Sequence, residues 1–144
     1  MKIVVVEDDK IAQIGIKKIF GAVDIDIELV MASNGQEGLD YFDKSEAEET
    51  DLVLLDLNMP VVNGFEFLAG IRQSSKFKDL PVIVHTTSDN EEDLKKCRAL
   101  GIGGYFVKNV DYSVYKETLQ CIANYWHKSK QKGALWKGLF SQHF

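Results

Sequence analysis

The sequence predicts an α/β domain, a doubly wound five-stranded parallel sheet in the spatial order 2-1-3-4-5 with helices on both faces. Two observations carry this. Unbroken apolar runs such as 3–6, 52–55 and 82–84, rich in Val, Ile and Leu, read as strands buried on both faces. Each run is followed by apolar residues at helical spacing, and such alternation implies right-handed crossovers between parallel strands. A chain of 144 residues forms one core without staples, and no repeat, low-complexity tract or Pro-rich linker interrupts it.

Taken in order, Ile3-Val4-Val5-Val6 is strand one, ending in the acids Glu7-Asp8-Asp9. Asp9 precedes a helix and is read mainly as its N-cap. Helix one runs from Lys10 to Phe20 with Ile11, Ala12, Ile14, Ile16, Ile19 and Phe20 at helical spacings and Gly21 as its stop. Ile25 to Met31 alternates with acids, which suits a strand at the sheet edge. Asn34 followed by Glu37 is a capping signature for helix two, with Leu39 and Phe42 as its buried stripe. Residues 45–50 read as an acidic, solvated loop.

The third strand, Leu52 to Leu55, ends at Asp56, with Pro60 four residues beyond. Asn63 with Glu66 caps helix three, which buries Phe67, Leu68 and Ile71. Pro81 enters strand four, where no ladder donor is required, and the strand continues through His85, Thr86 and Thr87. Ser88 with Glu91 is read as the capping box of helix four, which ends at Gly101. Residues 103–108 form strand five. Asp111 or Ser113 then caps a last helix that buries Val114, Leu119, Ile122, Ala123 and Trp126.

In the predicted strand order, strands one and three are neighbours at the topological switch point, where open α/β sheets place their chemistry. Glu7 and Asp8 therefore come beside Asp56. Three converging carboxylates raise one another's pKa unless a cation neutralises them. Mg²⁺ fits, because it takes oxygen ligands and keeps several waters, and the backbone carbonyl of Asn58 is placed to complete a partial shell. Lys108 and Thr86, at the ends of strands five and four, bring an ammonium and a hydroxyl to the same rim. Acids and Mg²⁺ on one side with Lys and Thr on the other make a site for a phosphoryl group. His85 points to the opposite sheet face by alternation and is read as a packed histidine.

The set Glu7-Asp8, Asp56-Leu57-Asn58-Met59-Pro60, Thr86 and Tyr105-Phe106-Val107-Lys108 resembles the receiver domain of bacterial two-component response regulators, the CheY-like family, over residues 1 to 127. The resemblance implies a flavodoxin-like (βα)5 receiver fold. It implies that Asp56 accepts a phosphoryl group from a sensor histidine kinase or a histidine phosphotransfer protein, with Mg²⁺ held by Glu7, Asp8, Asp56 and the Asn58 carbonyl. Lys108 and Thr86 would bind the phosphoryl oxygens, and Thr86 and Tyr105 would form the switch. Segments 86–93 and 122–126 look like single-domain regulators that partner phytochrome-type kinases, which pair through the face of helix four, strand five and helix five. Such a chain is a signalling module that assists its own phosphorylation and dephosphorylation.

Two positions depart from the pattern. Asn109 follows Lys108 where the family usually has proline, often across a cis bond. A cis bond before a non-proline residue costs about 2.5–4 kcal/mol, which predicts a rearranged or trans turn here. Thr87 stands where a small residue is usual, narrowing access to the phosphoryl group.

A haloacid-dehalogenase-like Mg²⁺-dependent phosphatase also uses a strand-end aspartate, but wants a second Asp two residues on, where this chain has Asn58. A flavodoxin-like FMN binder needs a Ser/Thr/Gly-rich phosphate loop where Glu7-Asp8-Asp9 stand. The net charge of −5 argues against sequence-independent nucleic-acid binding. With no signal peptide and no apolar run of membrane-spanning length, the expectation is a soluble, cytoplasmic protein without membrane insertion. Cys97 and Cys121 lack metal or redox spacing and read as reduced structural thiols. Residues 128–144, with Trp136, Phe140 and Phe144, are read as a tail or an extension of helix five, with no room for a DNA-binding output domain.

Overall fold

A computed structural model describes residues 1–132. Its strands are β1 (Lys2–Val6), β2 (Glu28–Ala32), β3 (Leu52–Leu55), β4 (Val82–Thr86) and β5 (Gly104–Val107), all parallel, in the order β2-β1-β3-β4-β5. The helices are α1 (Lys10–Ala22), α2 (Gly35–Phe42), α3 (Gly64–Gln73), α4 (Glu91–Leu100) and α5 (Tyr112–Lys132). The predicted fold class and edge position of β2 are observed.

Side chains that alternate along the strands feed two separate cores, one on each face of the sheet. Val4, Val6, Val53, Leu55, Val82 and Val84 pack with Phe42, Phe67 and Leu68 beneath α2, α3 and α4. Ile3, Val5, Leu52, Leu54 and Ile83 pack with Ile16, Phe20, Leu119 and Trp126 beneath α1 and α5. Each fully buried aliphatic or aromatic side chain contributes about 1.5–3 kcal/mol, so the two-sided burial of β1, β3 and β4 is what fixes the register.

Local differences from the sequence expectation have physical causes. Gly21 does not stop α1, which continues to Ala22, because nothing crowds that turn and the following Val23 leaves it with extended geometry. Within α1 only Ile16, Ile19 and Phe20 are buried; Ile11 and Ile14 are 81% and 61% exposed, since α1 extends past the sheet at its start. Likewise Val114, in the first turn of α5, is exposed. Residues 45–49 form a 3-10 helix, tied down by Ala47, which is fully buried. The N-cap of α4 is Asn90, whose side chain accepts from Glu92 N, in place of Ser88. The Ser88 hydroxyl is engaged by the Asp93 carboxylate at 2.6 Å. Asp111 caps α5, accepting from Ser113 N. Cys97 is buried, with its thiol pushed up to about 12 by burial, whereas Cys121 is exposed. The part of the tail beyond residue 132 lies outside the described residues.

Candidate functional site

The pairing of β1 with β3 sets Val6 opposite Leu55, and Asp56 N donates to Val6 O at 3.0 Å. The next residues along, Glu7 and Asp56, are thereby side by side. Oxygens of Glu7, Asp8 and Asp56 lie within 4.8 Å of one another. Glu7 and Asp56 are buried, at 3% and 7% exposure, and Asp8 is half-buried. Asp9, by contrast, caps α1 by accepting from Ile11 N and stays exposed. Three hard oxygen donors, two of them withdrawn from water, fit a hard divalent cation.

Lys108 reaches this cluster from the end of β5. Its Nζ lies 2.5 Å from Glu7 Oε1 and 3.8 Å from Asp56 Oδ2. Burial raises the pKa of Glu7; the hydrogen bond and charge of Lys108 pull it back, while Asp56 pushes it up again. Lys108 N is anchored on Thr86 O at 2.7 Å, which continues the β4–β5 ladder. The peptide bond to Asn109 is trans, since the described residues contain no cis bond. Asn109 instead turns the chain by accepting from Asp111 N through its side chain.

Thr86 is fully buried, and its hydroxyl accepts from Ser88 N at 3.4 Å, so it sits behind the rim. Tyr105 is also buried, with its hydroxyl donating to Ser88 O at 2.9 Å. Thr86 and Tyr105 thus meet the same loop residue. Asn58 lies in the exposed turn after Asp56. Thr87 is exposed and, with Asp9, Ile11, Val110 and Tyr112, lines a groove that opens beside Lys108. His85 is buried on the other face against Tyr115, at 5.1 Å between ring centroids.

Three supporting residues escaped the sequence reading. Gln13 Nε2 donates to Glu7 O and lies 3.2 Å from Ser33 Oγ, joining α1, the end of β1 and the loop before α2. Nothing in the local pattern signals this, because the contact spans twenty residues. Gly64 opens α3 against the site: a Cβ there would lie 2.4 Å from Asp56 O and 2.6 Å from Leu57 Cα. The Asn63-Gly64 pair was legible as a cap, though not as a close approach. Val61, between Asp56 and α3, has φ of 67°, a left-handed conformation costly for a β-branched residue.

Comparison with known proteins agrees with this geometry. The family profile of the response regulator receiver domain matches residues 3–120. Response regulator Rcp1 of Synechocystis is 31% identical, the alignment covering 86% of this chain and 87% of that protein. The Mn²⁺-bound form of Rcp1 superposes with a TM-score of 0.79 at 32% identity, covering 87% of this chain and 93% of the other. The phosphorylated cyanobacterial phytochrome response regulator RcpA superposes at 0.82 with 31% identity, covering 89% and 94%.

Proposed function

The chain belongs to the response regulator receiver domain family, and from that premise we propose that Asp56 accepts a phosphoryl group from the phosphohistidine of a sensor histidine kinase or histidine phosphotransfer protein. Phosphorylation on an aspartate and dependence on Mg²⁺ are typical of the family. The observation that carries the assignment to Asp56 is the gathering of Glu7, Asp8 and Asp56 within 4.8 Å with the Lys108 ammonium against two of them.

Glu7, Asp8, Asp56 and the Asn58 carbonyl would hold Mg²⁺. When bound, the ion supplies positive charge for the phosphoryl oxygens. The chain's own residues do the rest. A carboxylate oxygen of Asp56 forms the new P–O bond as the P–N bond to the donor imidazole breaks, and the imidazole departs with its electron pair and takes up a proton. Lys108, freed from Glu7, pairs with the phosphoryl oxygens; phosphoryl transfer is largely positioning and charge neutralisation. Thr86 leaves Ser88 N to donate to one of them. That loosens the 88–90 loop on which the Tyr105 hydroxyl rests, and couples the site to the face of α4, β5 and α5.

The groove beside Lys108, from which a donor would approach, carries exposed Ile11 and Val110 on its rim. An apolar rim suits a protein surface better than a small phosphorylated metabolite. Output passes through protein contacts or onward phosphotransfer, and exposed Val107 on β5 supports pairing of two copies through the α4–β5–α5 face. Direct nucleic-acid binding is not part of this reading. Among the described residues no helix is long and apolar enough to cross a membrane, in keeping with a cytoplasmic site of action. The phosphatase alternative lacks its general acid, because Asn58 stands two residues after Asp56.

The test is incubation with acetyl phosphate and Mg²⁺ followed by intact mass. One phosphoryl adduct is expected, absent in Asp56→Asn and absent when Mg²⁺ is chelated. An undiminished adduct in Asp56→Asn would overturn the assignment.

A further inference from the structure

We infer that Gln13 is a positioning residue of the metal site, which holds Glu7 and Asp8 ready for a divalent cation; this rests on reading Glu7, Asp8 and Asp56 as the ligands of Mg²⁺. Glu7 stands one residue beyond β1, where the ladder with β2 ends, and its N–H donates to Ala32 O at 2.9 Å. Its carbonyl is served by a side chain: Gln13 Nε2 donates to Glu7 O at 2.5 Å. Because a carbonyl oxygen only accepts, the amide presents its NH₂ end there, and the same nitrogen lies 3.2 Å from Ser33 Oγ.

The carboxylate of Glu7 is shared between two donors. Oε2 accepts from Asp9 N at 3.1 Å, and Oε1 accepts from the Lys108 ammonium. A cation entering the cluster repels that ammonium, so the contact with Lys108 yields and the remaining ones must keep Glu7 in place. Two of them come from the first turn of α1, where Asp9 is the N-cap and Gln13 N donates to Asp9 O at 2.9 Å. The turn thus holds the segment 7–9 at both ends, by the carbonyl of Glu7 and by the link between Asp9 N and the Glu7 carboxylate, and Asp8 lies between them. Ligands ordered before the ion arrives bind it without the further cost of ordering them.

Gln13 itself rests on a fixed support. Ser33 N donates to Glu37 Oε1 at 2.9 Å, and Glu37 N donates to Asn34 Oδ1 at 2.8 Å. Gly35 N donates to Val62 O at 3.0 Å, in the turn that leads from Asp56 to α3. Residues 33–35 therefore brace the β1 side of the site, through Gln13, against its β3 side, through Val62. The amide is uncharged, so it supports three carboxylates without opposing the cation as a lysine would, and without adding to their mutual repulsion.

Calorimetric titration of the metal-free protein with MgCl₂ tests this, with circular dichroism and urea midpoints recorded in the absence of Mg²⁺. Gln13→Met keeps the length and helix propensity of the side chain and removes both contacts of the amide. Its dissociation constant for Mg²⁺ is expected to rise by about tenfold or more, with an unchanged helical signal. Gln13→Glu separates positioning from charge. It brings another negative charge towards the acids, which by attraction alone would tighten the binding of a cation, yet it sets an oxygen against Glu7 O. Positioning predicts that this variant also binds Mg²⁺ more weakly than the parent. Unchanged affinity in Gln13→Met overturns the proposal even if the urea midpoint falls, since Gln13 is then a structural bridge only. Tighter binding by Gln13→Glu overturns it as well. A parent protein that takes up no Mg²⁺ overturns instead the reading of the acids as a metal site, whereas a parent that binds no better than its variants overturns the role of Gln13 alone.

Discussion

The ammonium of Lys108 lies against Glu7 at 2.5 Å and stands farther, at 3.8 Å, from Asp56. A side chain that arrives from β5 therefore neutralises the carboxylate at the end of β1 more directly than the one at the end of β3. A divalent ion entering the cluster competes with that ammonium for Glu7, because both are held by the same oxygen charge. Lys108→Met keeps the aliphatic stem and removes the competitor. The expected result is Mg²⁺ affinity raised by about tenfold, equivalent to about 1.4 kcal/mol, together with slower formation of the Asp56 adduct. Calorimetric titration with MgCl₂ checks the first part; affinity that stays equal or falls would contradict the competition.

The backbone of Asp56 is pressed by the start of α3, and Gly64 makes that approach sterically allowed. An added Cβ at 2.4 Å from Asp56 O requires α3 or the β3 turn to shift. Gly64→Ala is expected to destabilise the fold by about 1–3 kcal/mol, the usual range for overpacking, and to slow adduct formation because Asp56 moves with its carbonyl. Urea denaturation and intact-mass kinetics measure the two effects. A variant as stable as the parent would show that the turn yields freely.

Much of this architecture was legible because it rests on local chemistry. Asp9, Asn34, Asn63 and Asp111 cap the helices that follow them, through side chains two or three residues from the amides they satisfy. The convergence of Glu7, Asp8 and Asp56 followed from strand order alone. What was missed depends on partners distant in sequence. Ser88 looked like a cap because Glu91 follows it at the right spacing, yet its hydroxyl goes to Asp93 while Asn90 takes the amide of Glu92. The burial of Thr86, the Gln13 bridge and the exposure of Ile11 depend on how far each element extends past its neighbours, which periodicity does not report.

Val61 holds φ of 67° in the turn between Asp56 and α3, and its side chain is 78% exposed, so no packing offsets the strain. Val61→Gly is expected to stabilise the folded state by about 1 kcal/mol. The relief of a left-handed β-branched residue, about 1–3 kcal/mol, exceeds the extra chain entropy that glycine brings to the unfolded state. Thermal unfolding checks this, and a lower midpoint would show that Val61 is not strained.

His85 is buried, packs against Tyr115, and among the described residues has no hydrogen-bond partner at either ring nitrogen. Burial, followed by the nearby charge of Lys108, depresses its pKa from 6.5 to about 4. The folded-state pKa is thus below the unfolded one, so between those values the unfolded chain binds more protons. Stability is full above pH 6.5 and falls as the pH drops toward 4, by about 3 kcal/mol across the whole window. His85→Phe removes the titrating group and two unsatisfied buried nitrogens while keeping a ring against Tyr115. Its stability at pH 7 is expected to be equal to or above that of the parent, because a buried unpaired polar atom costs about 1–3 kcal/mol. The decline between pH 6.5 and 4 should flatten, leaving the slope contributed by the carboxylates. Urea midpoints at several pH values distinguish the two proteins; parallel curves would mean that His85 takes up its proton at the same pH in the folded and unfolded states and that the acid sensitivity lies elsewhere.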